Sequence, residues 1–129
     1  EIGKGRVINS LDSDLLVLNF GTLIATSEEV AKELNASLLD MRFVKPLDKE
    51  MIAEYSIGKK AIITIEDGAI TGGAGSAVSE WAQENKINAQ IIICGIPDEF
   101  VDHSSREEMI EAVGLDKKGI LAKVKDYLS

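Results

Sequence analysis

The chain has 129 residues, 45% of them hydrophobic and 28% charged, with 14 Lys plus Arg against 22 Asp plus Glu and a formal net charge of −8 at pH 7. That length suits one domain burying roughly two thirds of its unfolded surface, and the composition excludes disordered, collagenous and coiled-coil classes. No apolar run approaches the roughly 18 residues of a membrane-spanning helix, and the acidic surplus argues against nucleic acid and anionic membrane surfaces as partners.

The first residues, Glu1-Ile2-Gly3-Lys4-Gly5, carry no initiator Met and lead almost directly into a strand at Gly5 to Asn9, so we expect a piece of a longer polypeptide. Leu15-Leu16-Val17-Leu18-Asn19-Phe20 is a continuous apolar run, the pattern of a strand buried on both faces, and Gly21 ends it. Thr26 and Glu29 have capping-box spacing ahead of a helix that carries Val30, Ala31 and Leu34. Ser37 to Met41 predicts the next strand, Lys45-Pro46-Leu47 a turn, and Asp48 the cap of a short helix with Met51, Ile52 and Tyr55 on one side. Ala61 to Ile65 predicts another buried strand, followed by an acidic, glycine-rich loop from Glu66 to Gly75. A helix from Ser76 to Asn85 then turns Ala77, Val78, Trp81 and Ala82 to the sheet, and Gln90 to Gly95 is the last strand.

The tail changes character. Pro97-Asp98-Glu99-Phe100 interrupts the pattern; Ser104 and Glu107 then cap a helix bearing Met109, Ile110 and Val113, which Gly114 closes. A final helix from Lys117 to Leu128 carries an apolar stripe of Ile120, Leu121, Val124 and Leu128. There are no repeats and no low-complexity linker. The alternation predicts a single three-layer α/β/α domain over residues 1–129, with a mostly parallel sheet of about five strands.

The strongest local feature is the loop that runs from Glu66-Asp67-Gly68 to Gly72-Gly73-Ala74-Gly75-Ser76. It follows a strand and opens a helix, a place where backbone N–H groups favour an anion. It matches neither the dinucleotide-binding nor the P-loop fingerprint, and no lysine follows it. Tight turns and close packing therefore explain the glycines better than a ligand does. Glu66 and Asp67 sit at a strand's carboxyl end, but adjacent carboxylates on an extended chain point to opposite faces. A helix cap or an interface hydrogen bond is favoured over paired acid–base chemistry. Glu66-Asp67-Gly68 is also no thiamine-diphosphate metal motif, which wants Gly-Asp-Gly, and Asn85 and Asn88 fall too early to complete one.

The remaining reactive residues are sparse. His103 is the one imidazole, and Ser104 and Ser105 beside it lack the spacing of a nucleophile–base pair. Cys94, in an Ile-rich strand, is a small core residue; one cysteine and one histidine allow neither a disulfide nor a tetrahedral zinc site. This balance, with no secretory leader at the start, predicts a reducing, cytoplasmic setting. No complete active site assembles from these residues.

Four stretches together resemble the carboxy-terminal domain of the 1-deoxy-D-xylulose-5-phosphate synthases, in the transketolase group of thiamine-diphosphate enzymes. They are Asp40-Met41-Arg42-Phe43-Val44-Lys45-Pro46-Leu47-Asp48, Thr64-Ile65-Glu66-Asp67-Gly68-Ala69-Ile70 leading into Gly72-Gly73-Ala74-Gly75-Ser76-Ala77, Gly95-Ile96-Pro97-Asp98-Glu99-Phe100-Val101-Asp102-His103, and Gly114-Leu115-Asp116. The similarity runs in order from Gly3 to Leu128. This chain has Glu66-Asp67-Gly68 where the family usually has Glu-Glu-Asn, and His103-Ser104 where it has His-Gly.

The resemblance implies a mixed five-stranded sheet with an antiparallel first strand. It implies a parent transferase that condenses pyruvate with glyceraldehyde 3-phosphate, with loss of carbon dioxide, for isoprenoid, thiamine and pyridoxal synthesis. Thiamine diphosphate and magnesium are then held by earlier domains, and no catalytic, cofactor or metal residue falls on this chain. The expected role is non-catalytic: packing against the upstream domains and a second copy in a homodimer, in a bacterial cytoplasm or a plastid. Glu66, Asp67, Gly72, Gly73 and Gly75 are the candidate interface loop. A freestanding domain that binds a small anion at the glycine loop, and a regulatory module that docks a partner, are the alternatives.

Overall fold

Segments as apolar as Leu15–Leu18 and Ala61–Ile63 have no polar face to offer water, so they settle as strands only where helices cover both sides. The computed structural model describes residues 3–42, 46–70, 72–97 and 106–129. In chain order they form β1 (Arg6–Asn9), β2 (Leu15–Phe20), α1 (Ile24–Leu34), β3 (Ser37–Asp40), α2 (Lys49–Tyr55), β4 (Ala61–Ala69), α3 (Ala74–Glu84), β5 (Gln90–Ile96), α4 (Arg106–Ala112) and α5 (Lys117–Leu128). The strands make one five-stranded sheet in the order β1-β3-β2-β4-β5. β2 lies parallel to β3 and β4, and β4 parallel to β5, while β1 runs antiparallel along β3 as the resemblance implied.

Successive strand residues face opposite sides of a sheet, and the core divides accordingly. Val17, Ile63, Ile65, Ile92 and Cys94 pack against Val30 and Ala31 of α1 and Ile120 and Val124 of α5. Leu16, Leu18 and Ile62 pack on the other face against Ile52 of α2 and Val78, Trp81 and Ala82 of α3. Each fully buried Leu or Ile contributes about 1.5–3 kcal/mol. Leu16, Leu18, Ile62 and Ile63, all 0% exposed, therefore hold β2 and β4 at the centre of the sheet.

Three predicted boundaries move. α1 begins at Ile24 with Leu23 at its N-cap position and no side-chain cap, so Thr26 stands inside the first turn and the expected Thr26–Glu29 box is not formed. Tertiary contacts set that start instead: Leu23 is buried, and Ser27 Oγ donates to Asn19 Oδ1 across to β2 at 2.8 Å. β4 continues to Ala69, so Glu66, Asp67 and Gly68 belong to a strand rather than to a loop. α3 starts at Ala74, earlier than Ser76, and Gly75 joins its buried face whereas Ala77 is only half-buried. The Asp48 cap forms as expected, with Oδ1 accepting the Met51 N–H at 3.3 Å and Oδ2 accepting the Gly5 N–H at 2.9 Å. Asp98 to Phe100, His103, Ser104 and Ser105 lie outside the described residues.

Candidate functional site

A helix that starts on glycine has no side chain at its N-cap, and α3 starts that way, with Gly73 in extended backbone and no side-chain cap bond. The sheet supplies the missing acceptor. Glu66, fourth from the end of the nine-residue β4, reaches up so that its Oε2 accepts the Gly75 N–H at 3.0 Å. The carboxyl lies beneath the helix start and only 4% of the residue is exposed. Burial raises its pKa, the N–H groups of Gly75 and Ala74 pull it down, and the neighbouring Asp67 charge raises it; the net direction is upward. Its second oxygen, Oε1, is buried without a hydrogen-bond partner, and so is Thr64 Oγ1 two residues earlier on the same strand face. This geometry disfavours the glycine loop as an open anion site, because the chain's own carboxyl occupies the positive end of α3.

Gly75 and Gly95 make that closure sterically feasible. A Cβ at residue 75 would stand 2.5 Å from Ile93 Cγ2 and 2.8 Å from Thr64 Oγ1, and one at residue 95 would stand 3.0 Å from Glu66 Oε1. Close helix-on-sheet packing, the favoured explanation of the glycines, is what Gly75 does. Gly73 donates its N–H to Ile70 O at 3.0 Å, and Ser76 Oγ donates to the same carbonyl at 2.8 Å. Gly72, at φ +73°, is exposed with open space around it.

Asp67 faces the other way, as period-two geometry requires. Its Oδ2 accepts from the Thr22 N–H at 3.0 Å and from Thr22 Oγ1 at 2.5 Å, which ties the end of β4 to the turn after β2. Gly21 in that turn sits at φ +100°, and a Cβ there would stand 2.4 Å from Asp67 Oδ1. Glu66 and Asp67 thus serve two separate elements and form no acid–base pair.

The sequence reading missed a polar cluster at the same carboxyl edge. Asn19, fully buried, donates through Nδ2 to Gly21 O at 3.2 Å and to Asp40 Oδ1 at 3.3 Å, while its Oδ1 accepts from Ser27. Asp40 also pairs with Arg6 at 3.3 Å, joining β3 to β1. The signal was present, because a lone Asn inside the run Leu15–Phe20 is a buried polar residue that must find partners. On the sheet face covered by α1 and α5, burial pushes the Cys94 thiol up to about 11, so it stays protonated near neutral pH. Among the described residues no group of three or more His, Cys, Asp or Glu could hold a metal ion.

A mixed five-stranded sheet with an antiparallel edge strand, covered by helices on both faces, defines a three-layer α/β domain. The family described as "Transketolase, C-terminal domain" matches residues 3–120. The chain belongs to that family. It is 46% identical over 128 residues to the 1-deoxy-D-xylulose-5-phosphate synthase of Shewanella denitrificans, covering 99% of this chain and 20% of the relative. The synthases of Sodalis glossinidius and Pseudoalteromonas translucida are 41% and 43% identical, over 20% and 21% of their own lengths and 99% and 100% of this chain. The chain thus spans about a fifth of the length of the curated relatives it matches. Among solved structures, a split-gene transketolase in an inactive β4 tetramer superposes with a TM-score of 0.86 at 30% identity, covering 98% of this chain and 42% of that one. The transketolase of Leishmania mexicana superposes with a TM-score of 0.65 at 10% identity, covering 96% of this chain and 18% of that one, a likeness of fold alone.

Proposed function

We propose that this chain is the carboxy-terminal, non-catalytic domain of a 1-deoxy-D-xylulose-5-phosphate synthase. The parent transferase joins pyruvate to glyceraldehyde 3-phosphate with loss of carbon dioxide, supplying precursors for isoprenoids, thiamine and pyridoxal in the cytoplasm. Thiamine diphosphate and magnesium belong to the preceding domains. The observation that carries the reading is the fate of the acids at the sheet's carboxyl edge, with Glu66 on the Gly75 N–H and Asp67 on Thr22. Side chains committed in this way stabilise a scaffold.

The end of β4 and the approach to α3, with Asp67, Gly72 and Gly73 accessible and Glu66 and Gly75 buried beneath them, form the surface that meets the upstream domains or a second copy in a homodimer. Gly68 and Gly72 support this, because an added Cβ at either meets nothing within 4 Å, leaving backbone open to a close neighbour. Gly68→Trp in the full-length enzyme tests it without touching the internal bonds of Glu66 or Asp67. Sedimentation should show a dimer weakened at least tenfold, with thiamine-diphosphate affinity of the remaining dimer within about twofold. An unchanged dimer, or a loss confined to cofactor affinity, removes this loop from the interface.

A further inference from the structure

Where α2 and α3 end and β4 and β5 begin, a cavity of about 630 Å³ opens at the amino edge of the sheet. Trp81, Ile57 and Ile87 give it an apolar floor, and Lys59, Lys60 and Lys86 stand around it. None of its lining residues is acidic, on a chain whose 22 Asp and Glu outnumber its 14 Lys and Arg. The size falls within the roughly 300–1,000 Å³ of small-molecule sites, and an apolar floor with a few polar groups is their usual composition.

The fold accounts for only part of the positive charge. The carbonyl ends of α2 and α3 each contribute about −0.5 of a charge here, against three ammonium groups. Lys59 Nζ donates to Ser13 O and so ties the turn before β4 to the turn before β2. Lys60 and Lys86 are exposed and have no ion-pair partner among the described residues. Lys86 also occupies a left-handed position at φ +54°, where glycine or asparagine would be at ease. Ile57 is 79% exposed, so the fold draws little stability from its apolar side chain.

We propose that this cavity binds a small organic anion, its carboxylate or phosphate held by Lys60 and Lys86 and its apolar body laid against Ile57 and Trp81. A head group alone would be served by the lysines; the apolar floor makes a chain or ring beside it the better ligand.

Trp81 is the one tryptophan of the chain, so its emission reports on this site without a label. The 129-residue chain is titrated with butyl phosphate, pentanoate, inorganic phosphate and butylamine. We expect a saturable emission change with butyl phosphate or pentanoate, the tighter of the two identifying the head group. Inorganic phosphate should bind at least tenfold more weakly, and butylamine should give no saturable change. K60E/K86E, and the neutral K60Q/K86Q as a second variant, should each weaken the organic anion at least tenfold while the circular dichroism spectrum stays unchanged. Ile57→Ser should weaken the organic anion and leave inorganic phosphate as it was. The proposal is overturned by failure of both organic anions to saturate, by affinity unchanged in the lysine variants, or by equal binding of inorganic phosphate or butylamine.

Discussion

At the carboxyl end of the sheet, Glu66 closes the start of α3, Asp67 closes the turn after β2, and Gly75 lets the helix rest directly on Ile93 and Thr64. At the amino end, where α2 and α3 finish, the chain leaves a cavity of about 630 Å³ edged by the exposed Ile57 and by Lys60 and Lys86, which have no ion-pair partner among the described residues. Open α/β sheets commonly bind ligands outside the carboxyl ends of their strands. Among the described residues at that end, Glu66 Oε2 and Asp67 are taken up by internal hydrogen bonds, with Glu66 Oε1 and Thr64 Oγ1 buried out of a ligand's reach, whereas Lys60 and Lys86 at the other end face solvent.

The contrast can be broken by substitution. The largest effect is expected at Gly75→Ala, whose Cβ must displace Ile93 and Thr64: a loss of about 3 kcal/mol, at the upper end for overpacking, read as a fall in the urea midpoint. A loss below about 0.5 kcal/mol would mean that α3 can shift off the sheet and that the carboxyl end is not tightly closed.

Glu66 comes next. Glu66→Ala leaves the Gly75 N–H buried and unpaired, for a loss of about 2 kcal/mol, whereas Glu66→Gln keeps an acceptor and should lose less. Burial is the main reason that the folded pKa of Glu66 lies above the unfolded one, with Asp67 adding to it and the Gly75 and Ala74 N–H groups opposing. A raised folded pKa gives stability that is fully present below the unfolded value, roughly 4.3, and lost as pH rises through the folded value. Urea denaturation from pH 4 upward should therefore show the parent chain losing stability relative to Glu66→Gln. A constant difference across that range would remove the titration of Glu66 from the account.

The smallest effect belongs to the amino end. Ile57→Ser should change stability by no more than about 0.5 kcal/mol, since the side chain is already in water. A loss above 1 kcal/mol would show that this edge is as tightly built as the other, and the contrast would fail.

Much of the fold was legible because it rests on local periodicity. The runs at Leu15–Phe20, Ala61–Ile65 and Gln90–Gly95 could only be strands buried on both faces. The stripe Ile120, Leu121, Val124, Leu128 could only be one side of a helix, and Asp48 announced its own cap. The boundaries that moved are those set across the sequence. α1 starts where Ser27 reaches Asn19, and α3 starts where Glu66 arrives from β4, contacts that no short window contains.

The same division runs through the candidate site. By itself the sequence determined that Glu66 and Asp67 point apart, because alternation along an extended chain is a property of the backbone. It also favoured packing over a ligand for the glycine stretch, which holds at Gly75 but not at the open Gly68 and Gly72, and it placed Cys94 in the core, as hydrophobic context dictates. Only the tertiary structure decided which helix Glu66 caps, which turn Asp67 holds and why Gly75 must lack a side chain. It alone gathered Lys60, Lys86, Ile57 and Trp81 around one cavity. Those facts depend on distances between residues far apart in the chain, and such distances exist only once the sheet has formed.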